Sequence, residues 1–232
     1  MSLGNQYLKL LEINGTIHKT LFKVHGIRIL TKSAYILKME RKGMQFSPGQ
    51  NLNLGLAGDT EKRDYSIYSA EGDDFLEILI KEVDEGLVSK KLKKLKPGDL
   101  VEVDGPFGFF TINEEDKLTK KFLFIASGTG IAPFHSIAKS YPGLNYTLLH
   151  GVRYSEETYE KDQYQAGRYI SCLSKDKKGD FQGRVTDYLR QNPVSHDTLC
   201  YLCGNVNMIY DAFDILKEQG VPSGNLHAEV YF

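Results

Sequence analysis

The stretch IASGTGIAPF, residues 125–134, decides the fold of the second half of the chain. An apolar strand enters Gly128, Thr129 and Gly130, and Pro133 suits the first turn of a helix that follows. Glycines let a backbone approach a ligand closely, and the free N–H groups at a helix start attract phosphate. Because Pro133 replaces the third glycine of the G-x-G-x-x-G fingerprint, these residues alone fit a nucleotide loop and a ligand-free turn equally well.

Apolar strands alternate with helical stretches from residue 121 onward. The strands are KFLFIAS, YTLLHG, RYISCLS and TLCYLCG, and the clearest helix has Val206, Ile209, Phe213 and Leu216 on one face. Such alternation, with unbroken apolar strands, indicates a parallel sheet covered on both faces. The closing stretch AEVYF is rich in strand formers, so we predict a last strand there.

Residues 16–112 have a different pattern, that of short strands separated by turns. Period-two alternation runs through KVHGIRIL, SAYILKME, QNLNLGLA, DFLEILIKEV and DLVEVDG, which is typical of an antiparallel barrel or sandwich. The segment GLVSKKLKKL has helical spacing instead, and the charged stretch INEEDKLTKK resembles a linker. We therefore predict two domains, an antiparallel β-barrel at 1–113 and an α/β parallel-sheet domain at 114–232.

Composition excludes several classes of function. The 232 residues include 29 Lys and Arg against 30 Asp and Glu, which argues against the basic surface that nucleic-acid binding needs. No apolar run approaches membrane-spanning length and MSLGNQ lacks the features of a secretory signal, so we expect a cytoplasmic protein without a membrane partner. The three cysteines fit a reducing compartment. Cys200 and Cys203 have C-x-x-C spacing, but no second pair follows, so we expect no metal.

Two further stretches have the residue types of a ligand site. In LCGN, Cys203 and Gly204 end a strand of the predicted parallel sheet, where open α/β sheets bind ligands. Asn205 is placed to cap the next helix. A buried apolar cysteine is the alternative interpretation of Cys203.

The barrel half contains the other two stretches. In RDYS, Arg63 suits a phosphate, Tyr65 offers a flat ring and Ser66 a hydroxyl. Arg63 and Tyr65 would share one strand face and Ser66 the other, so a bulge or loop is needed if all three contact one ligand. GLVS begins a helix with Ser89 in its first turn, which is a second plausible anion seat.

RDYS, GLVS, KPGDLVEVDGPFG, GTGIAP, CGNVNM and the terminal EVYF follow one another in this order. Together they resemble the ferredoxin-NADP reductase family of flavoproteins over nearly the whole chain. The run GLVSKKLKKLKPGD and the AE-x-Y-aromatic ending are most similar to the bacterial ferredoxin or flavodoxin reductase branch.

The resemblance implies a site residue by residue. Flavin (FAD) contacts are implied for Arg63, Tyr65, Ser66, Gly86, Leu87, Val88, Ser89, Tyr231 and Phe232. Nicotinamide-nucleotide contacts are implied for Gly128, Thr129, Gly130, Pro133, Cys203 and Gly204. Ser66, Cys203 and Glu229 are implied to act in catalysis. The implied reaction moves a hydride from NADPH to FAD and then single electrons to ferredoxin or flavodoxin, in a protein that we expect to be a monomer.

The choice of nicotinamide nucleotide rests on four residues. Arg153 follows the second strand of the half, where an acidic residue would favour NAD, and Ser174, Lys175 and Arg184 follow further on. NADP is therefore favoured and NAD stays possible, since lysine lacks the bidentate fork of arginine. The alternative for these residues is a solvated loop.

Two other functions remain open from the sequence. One is an NAD(P)H-dependent flavin reductase or the reductase component of an oxygenase system. The other is a flavin-binding electron-transfer subunit without turnover of its own. A lysine-rich helix face is either a docking patch for an acidic acceptor or an ordinary solvated face. Its members are Lys90, Lys91, Lys93, Lys94 and Lys96.

Overall fold

A computed structural model of the chain describes residues 21–83 and 86–231. Within these residues there are twelve strands and five α-helices in two compact units. The N-terminal unit reaches Phe46 and includes Asn51–Phe107, and the C-terminal unit takes Ser47–Gln50 and continues from Gly108. The domain limits predicted from the sequence, 1–113 and 114–232, lie a few residues beyond this division and stay a prediction.

The N-terminal unit is an antiparallel barrel, as predicted. The sheet has the order β4-β3-β6-β1-β2-β5, and a bridge between Ile67 and Ile78 links its two edge strands. Tyr35, Leu37 and Met39 alternate along one strand and enter the core. The strands are β1 (Leu21–Ile29), β2 (Ala34–Glu40), β3 (Asn51–Leu56), β4 (Lys62–Ser66), β5 (Phe75–Lys81) and β6 (Leu100–Phe107).

One helix of the N-terminal unit, α1 (Leu87–Leu92), matches the helical spacing in GLVSKKLKKL. Val88 and Leu92 are buried in the barrel core, and Leu95, just beyond the helix, packs against the same core. The helix therefore covers the barrel with its apolar face, and the lysines lie on its outer side.

The C-terminal unit is a parallel sheet with the order β10-β9-β8-β7-β11-β12, which confirms the predicted α/β fold. Its strands are β7 (Phe122–Ser127), β8 (Tyr146–Val152), β9 (Tyr169–Leu173), β10 (Phe181–Gln182), β11 (Leu199–Asn205) and β12 (Leu226–Tyr231). Its helices are α2 (Glu114–Thr119), α3 (Ala132–Ser140), α4 (Val185–Gln191) and α5 (Val206–Glu218). The predicted last strand is β12, which pairs in parallel with β11.

Strand order places a switch point in this sheet. From β7 the chain adds β8, β9 and β10 on one side, and then β11 and β12 on the other side of β7. The connections that leave β7 and β11 therefore lead to opposite sides of the sheet, and open α/β sheets bind ligands at the carboxyl ends of such a pair of strands. Residues 128 and 204 lie at that edge, so the fold brings together two of the stretches that the sequence analysis singled out.

The helices correct one prediction and bear out another. INEEDKLTKK is not an extended linker, because α2 forms there with three acidic residues in its first turn and a Lys117–Glu114 ion pair. In α5, Ile209 and Leu216 are buried as predicted. No helix in the described part of the chain is long and apolar enough to cross a membrane.

Candidate functional site

The loop that follows β7 makes very close contact with the end of β11. It is a 3₁₀ turn, Gly128–Ile131, in which Gly128 has a φ of 55° that disfavours other residues. A Cβ on Gly130 would stand 2.3 Å from the carbonyl oxygen of Cys203 and 2.7 Å from the Cα of Gly204. Only glycine fits there, so Gly130 allows the two loops to touch through their backbones.

Ser127 and Gly204 form a second contact between the same strand ends. A Cβ on Gly204, whose φ is 126°, would stand 2.4 Å from the Ser127 hydroxyl oxygen. That hydroxyl oxygen accepts the backbone N–H of Asn205 at 2.9 Å. The Asn205 side chain in turn accepts from the N–H groups of Asn207 and Met208 at 3.1 and 3.3 Å, which confirms it as the cap of α5.

Cys203 has a buried thiol at this edge of the sheet. The register of β11 and β12 pairs Cys203 with Glu229 and Asn205 with Tyr231. Burial raises the pKa of the Cys203 thiol well above its usual range, the Glu229 charge adds to the shift, and a hydrogen bond with Tyr231 opposes it. The thiol is therefore neutral at physiological pH and offers a small polarisable surface rather than a nucleophile.

Four predicted nucleotide residues lie at the carboxyl ends of β8 and β9 and at the start of α4. The N–H of Lys175 donates to the carbonyl of Arg153 at 3.0 Å, and that of Ser174 to the carbonyl of Val152 at 3.1 Å. Arg184 is the N-terminal flanking residue of α4. Among residues 21–83 and 86–231, no carboxylate forms an ion pair with Arg153, Lys175 or Arg184. Exposed cations left without a carboxylate suit an external phosphate.

The RDYS residues occupy β4 in the N-terminal unit. Arg63 is exposed and lies 3.2 Å from the Glu61 carboxylate. The Tyr65 ring packs against the barrel core, where burial raises its pKa to about 12. The Ser66 hydroxyl lies on the opposite face of β4 and is buried.

The bulge that would bring these three side chains together is not in β4. β4 pairs in regular register with β3 from Lys62 to Ser66, and the register shift lies in β3 opposite β6. The chain instead leaves this pairing at Ser66 and bridges to β5 at the next residue, Ile67. The chain therefore changes its partner strand after Ser66. This change, rather than a bulge, interrupts the alternation of side chains between the two faces of the strand.

Residues 86–89 form the start of α1. Gly86 flanks the helix with no side-chain cap, and the Ser89 hydroxyl oxygen accepts the N–H of Val83 at 3.3 Å. The buried hydroxyl of Tyr35 donates to the Ser89 carbonyl at 2.5 Å. Val88 is buried and Leu87 exposed, so the first turn is fixed to the barrel through Tyr35 and Val88.

The structure brings together Ser127, Gly128, Gly130, Cys203 and Gly204, of which the sequence analysis missed Ser127. It also missed Tyr35 and the buried His150. Pro133 lies in the first turn of α3 and is buried in the C-terminal unit, and Thr129 lies in the 3₁₀ turn. Phe232 lies outside the described residues.

The cysteines and histidines of the described residues form no group with acidic side chains that would hold a metal ion. Cys172, Cys200 and Cys203 are free and buried. Burial raises the pKa of Cys200 to about 12, so this thiol is also neutral. The C-x-x-C spacing therefore falls within an apolar strand, β11.

Two family matches cover most of the chain. Residues 27–112 match the oxidoreductase FAD-binding domain, and residues 124–214 match the oxidoreductase NAD-binding domain. The fold and the two matches define a flavin-dependent oxidoreductase with a nicotinamide-nucleotide domain. The chain belongs to the ferredoxin-NADP reductase family of flavoproteins.

Two of the relatives serve different electron-transfer systems. The chain is 29% identical to the toluate 1,2-dioxygenase electron transfer component of Pseudomonas putida, with 90% of this chain and 66% of that protein covered. It is also 29% identical to ferredoxin-NADP reductase B of Sorangium cellulosum, with 89% and 95% covered. It therefore spans slightly under two thirds of the toluate component and almost all of the reductase.

A solved structure of a ferredoxin-NADP⁺ reductase from Neisseria gonorrhoeae, with bound FAD and NADP, has the same fold. Its TM-score is 0.83 at 23% identity, with 92% of this chain and 98% of that chain covered. The residues of the present chain fit two such cofactors. Gly128 and Thr129 are half-buried at the switch point, with nothing within 4 Å of the position that a Cβ on Gly128 would take. RDYS offers a cation, a ring and a hydroxyl.

Proposed function

We propose that the protein oxidises NADPH through FAD and delivers single electrons to a protein acceptor, ferredoxin or flavodoxin. The observation that carries this proposal is the meeting of the β7 and β11 strand ends at the switch point, where the buried, neutral Cys203 thiol lies beside Glu229 of the paired strand. Bound FAD would supply the step from a two-electron hydride donor to a one-electron acceptor. The protein's residues bind, orient and exclude water.

In the N-terminal unit, we assign Arg63 to a flavin phosphate, Tyr65 to the ring and Ser66 to the ring nitrogen that receives the hydride. Residues 86–89 would contact the pyrophosphate. Arg63 can exchange Glu61 for a phosphate, because both side chains are exposed and surface ion pairs of this kind contribute little. Ser66 is held by its strand, so its hydroxyl would be placed before the ligand arrives.

In the C-terminal unit, residues 128–131 and Pro133 would line the path of the nicotinamide nucleotide, with Cys203 and Gly204 next to its ring. The uncharged thiol suits this position because it offers the ring a polarisable contact without adding a charge. Glu229 would hold a proton close to the reacting rings. Tyr231 and Phe232 would cover the flavin and move aside when the nicotinamide enters.

The preference for NADPH over NADH rests on Arg153, Ser174, Lys175 and Arg184. Their cations have no carboxylate partner among the described residues, so a 2′-phosphate would not compete with an internal ion pair. NADH would leave these charges without a ligand. We therefore expect NADH to be oxidised more slowly than NADPH.

A reductase component of an oxygenase system is the second candidate. It is favoured by the 29% identity to the toluate dioxygenase component over 90% of this chain. The lysine face of α1 does little to distinguish a ferredoxin or flavodoxin acceptor from an oxygenase acceptor. Lys91 pairs with Asp59 at 2.5 Å and Lys93 with Glu82 at 3.0 Å, so these two charges are already partly neutralised. A monomer in the cytoplasm stays our prediction in either case.

The first experiment is a visible spectrum of the purified protein, followed by anaerobic mixing with NADPH and with NADH. We expect FAD bands that bleach faster with NADPH. A protein that takes up no flavin contradicts the proposal, and flavin that neither nucleotide reduces would favour a subunit without turnover. Faster bleaching by NADH overturns the assignment of the four cation-site residues. Reduction of ferredoxin or flavodoxin, compared with free flavin and an oxygenase iron-sulfur protein, then identifies the acceptor class.

Two variants test separately the assignment of Arg153 to the 2′-phosphate and the assignment of Tyr231 and Phe232 to covering the flavin. Arg153→Glu should lower the NADPH-to-NADH ratio of kcat/KM by about tenfold, as expected for one charge-assisted contact. Arg190→Glu, on α4 of the same unit, is the control and should leave the ratio unchanged. Removal of Tyr231 and Phe232 should raise nucleotide affinity or change the preference while the fold survives. Unchanged binding and flavin spectrum would leave these rings only a packing role.

A further inference from the structure

A histidine that the proposed reaction does not use is bonded to the nucleotide loop. His150 lies inside β8 and is fully buried. Its Nε2 is 2.8 Å from the carbonyl oxygen of Gly128, the first residue of the turn after β7. Because a carbonyl can only accept, Nε2 carries the hydrogen, and Nδ1 accepts the hydroxyl hydrogen of Tyr169.

The surroundings of His150 keep this single tautomer. Burial lowers the pKa of its ring to about 4, and the Gly128 carbonyl and the Glu157 charge offset only part of that effect. The rings of Tyr159 and Tyr169 lie 5.8 and 5.7 Å from it, centre to centre. The ring is thus neutral at physiological pH, with one donor and one acceptor in fixed directions.

The hydrogen bond from His150 restrains the turn at Gly128, a residue that side-chain packing does not restrain. Gly128 has a φ of 55° and nothing within 4 Å of the position that a Cβ would take, so neighbouring atoms do not hold this turn at that residue. The Gly128 carbonyl and the Thr129 N–H belong to one planar peptide group and point in opposite directions. Fixing the carbonyl toward His150 therefore fixes the direction of the Thr129 N–H.

We propose that His150 is a positioning residue that, through the Gly128–Thr129 peptide, aims the Thr129 N–H at the pyrophosphate of the nicotinamide nucleotide. The inference rests on the proposed function, because that function assigns the loop to the nucleotide. Tyr169 supports the same peptide indirectly, because its hydroxyl group donates to Nδ1 of His150 and so fixes the tautomer of that ring. The role is distinct from binding the 2′-phosphate, which the cations after β8 and β9 would do.

Two neighbouring tyrosines offer a matched pair of variants. The rings of Tyr164 and Tyr169 lie 5.1 Å apart and both are buried, but the Tyr164 hydroxyl has no hydrogen-bond partner among the described residues. Tyr169→Phe should weaken NADP⁺ binding by about threefold, the low end for one neutral hydrogen bond. Tyr164→Phe, which removes an equally buried hydroxyl, should leave binding unchanged.

Variants of His150 test the donor itself. His150→Leu should weaken NADP⁺ binding by about tenfold, and His150→Gln, whose amide can still donate to the Gly128 carbonyl, should recover most of it. Adenosine 2′-monophosphate, which has no pyrophosphate, should bind all of these variants as it binds the wild-type protein. A merely structural role would weaken both ligands alike. FAD content and kcat at saturating NADPH are measured alongside and should not change.

Nitrogen-15 NMR of the wild-type protein reads the tautomer directly, and should show His150 with hydrogen on Nε2 and no titration above pH 5.5. The inference is wrong if the two tyrosine variants bind NADP⁺ equally well, or if His150→Leu keeps wild-type affinity. It is also wrong if Nδ1 carries the hydrogen. A wild-type protein that binds FAD but no nicotinamide nucleotide would contradict the proposed function instead, and the NMR result would tell the two failures apart.

Discussion

The two loops proposed to contact phosphate groups, Gly128–Ile131 and residues 86–89, are fixed to their units in different ways. The first is held by backbone in contact with backbone, since Gly130 lies against the Cys203 carbonyl, and by the buried His150. The second is held by two hydroxyl groups, those of Tyr35 and Ser89. In the first loop Gly130 admits no added atom, whereas in the second a Cβ on Gly86 would meet its neighbours at 3.2 Å, a distance that a small shift can relieve.

The difference explains why one loop is easier to recognise in a sequence. A backbone contact demands glycine at fixed positions, so it leaves a pattern that can be read. A hydroxyl donated from a strand 54 residues away leaves none, as with Tyr35 and Ser89. Four predictions test whether the contrast holds.

The largest effect is expected for Gly130→Ala. The added methyl group would stand 2.3 Å from a backbone oxygen that cannot move without shifting β11, so we expect a loss of about 3 kcal/mol in the free energy of unfolding. Gly86→Ala is the matched change in the other loop. Its Cβ would meet the Ser89 hydroxyl oxygen at 3.2 Å, and φ is −79°, so the cost should stay below about 1 kcal/mol. Equal costs in urea denaturation would contradict the contrast.

The next effect is a dependence of stability on pH that comes from His150. Its folded pKa of about 4 lies below the model-peptide value of 6.5, so the unfolded state binds the proton first as pH falls. Stability is complete above pH 6.5 and is lost as pH falls toward 4. We expect a loss of about 2 kcal/mol between pH 7 and pH 5 from this group.

The control for this prediction is His150→Gln, which cannot titrate. Urea denaturation at the two pH values should show a smaller loss for this variant than for the wild-type protein. An identical loss in both would mean that other groups cause it. The groups nearest to the ring are Tyr159, Tyr169 and Glu157.

A smaller effect is expected for Tyr35→Phe. Removal of the hydroxyl that donates to the Ser89 carbonyl should cost about 1 kcal/mol of unfolding free energy and lower FAD retention on dilution. Tyr164→Phe serves as the control because its hydroxyl is equally enclosed but has no partner among the described residues. If both variants unfold at the same urea concentration, the Tyr35 hydroxyl does not hold the loop.

The smallest effect is expected for Ser89→Ala. Its hydroxyl oxygen accepts the Val83 N–H over a long 3.3 Å, and Val83 is exposed, so water can replace the bond. The unfolding free energy should fall by about 0.5 kcal/mol. If the variant retains much less FAD while its unfolding free energy changes little, the Ser89 hydroxyl contacts the ligand. A fall in unfolding free energy above about 1.5 kcal/mol would instead show that the hydroxyl has a large structural role.

Much of the fold followed from local patterns. Period-two strands, the glycines after β7 and the cap at Asn205 each report a backbone requirement, and the structure has all of them. The stretch INEEDKLTKK is predicted to be a linker because most of its side chains are charged or polar. Acidic residues in the first turn, which interact favourably with the helix dipole, and the Lys117–Glu114 ion pair accompany a helix, α2, there instead.

The candidate site was only partly predictable. Cys203, Gly204 and Gly130 were named in separate stretches, and strand order, which no single stretch shows, brought them into contact. Ser127 and His150 were missed because a serine beside a glycine turn and a histidine in a strand are ordinary by themselves. A histidine inside the apolar run YTLLHG was the available signal, since a buried polar ring needs partners.

The position of β6 in the barrel has a consequence for synthesis of the chain. β6 is the last strand of the N-terminal unit to leave the ribosome, yet it lies between β3 and β1 in the sheet. Leu21 of β1 pairs with Glu102 of β6, so the first described residue of the barrel can pair only after a residue near the end of the same unit has been synthesised. Such distant pairing slows folding, and until residue 107 is made the edges of β1 and β3 lack their partner. The nascent flavin half therefore exposes two strand edges for most of the time that it takes to be made.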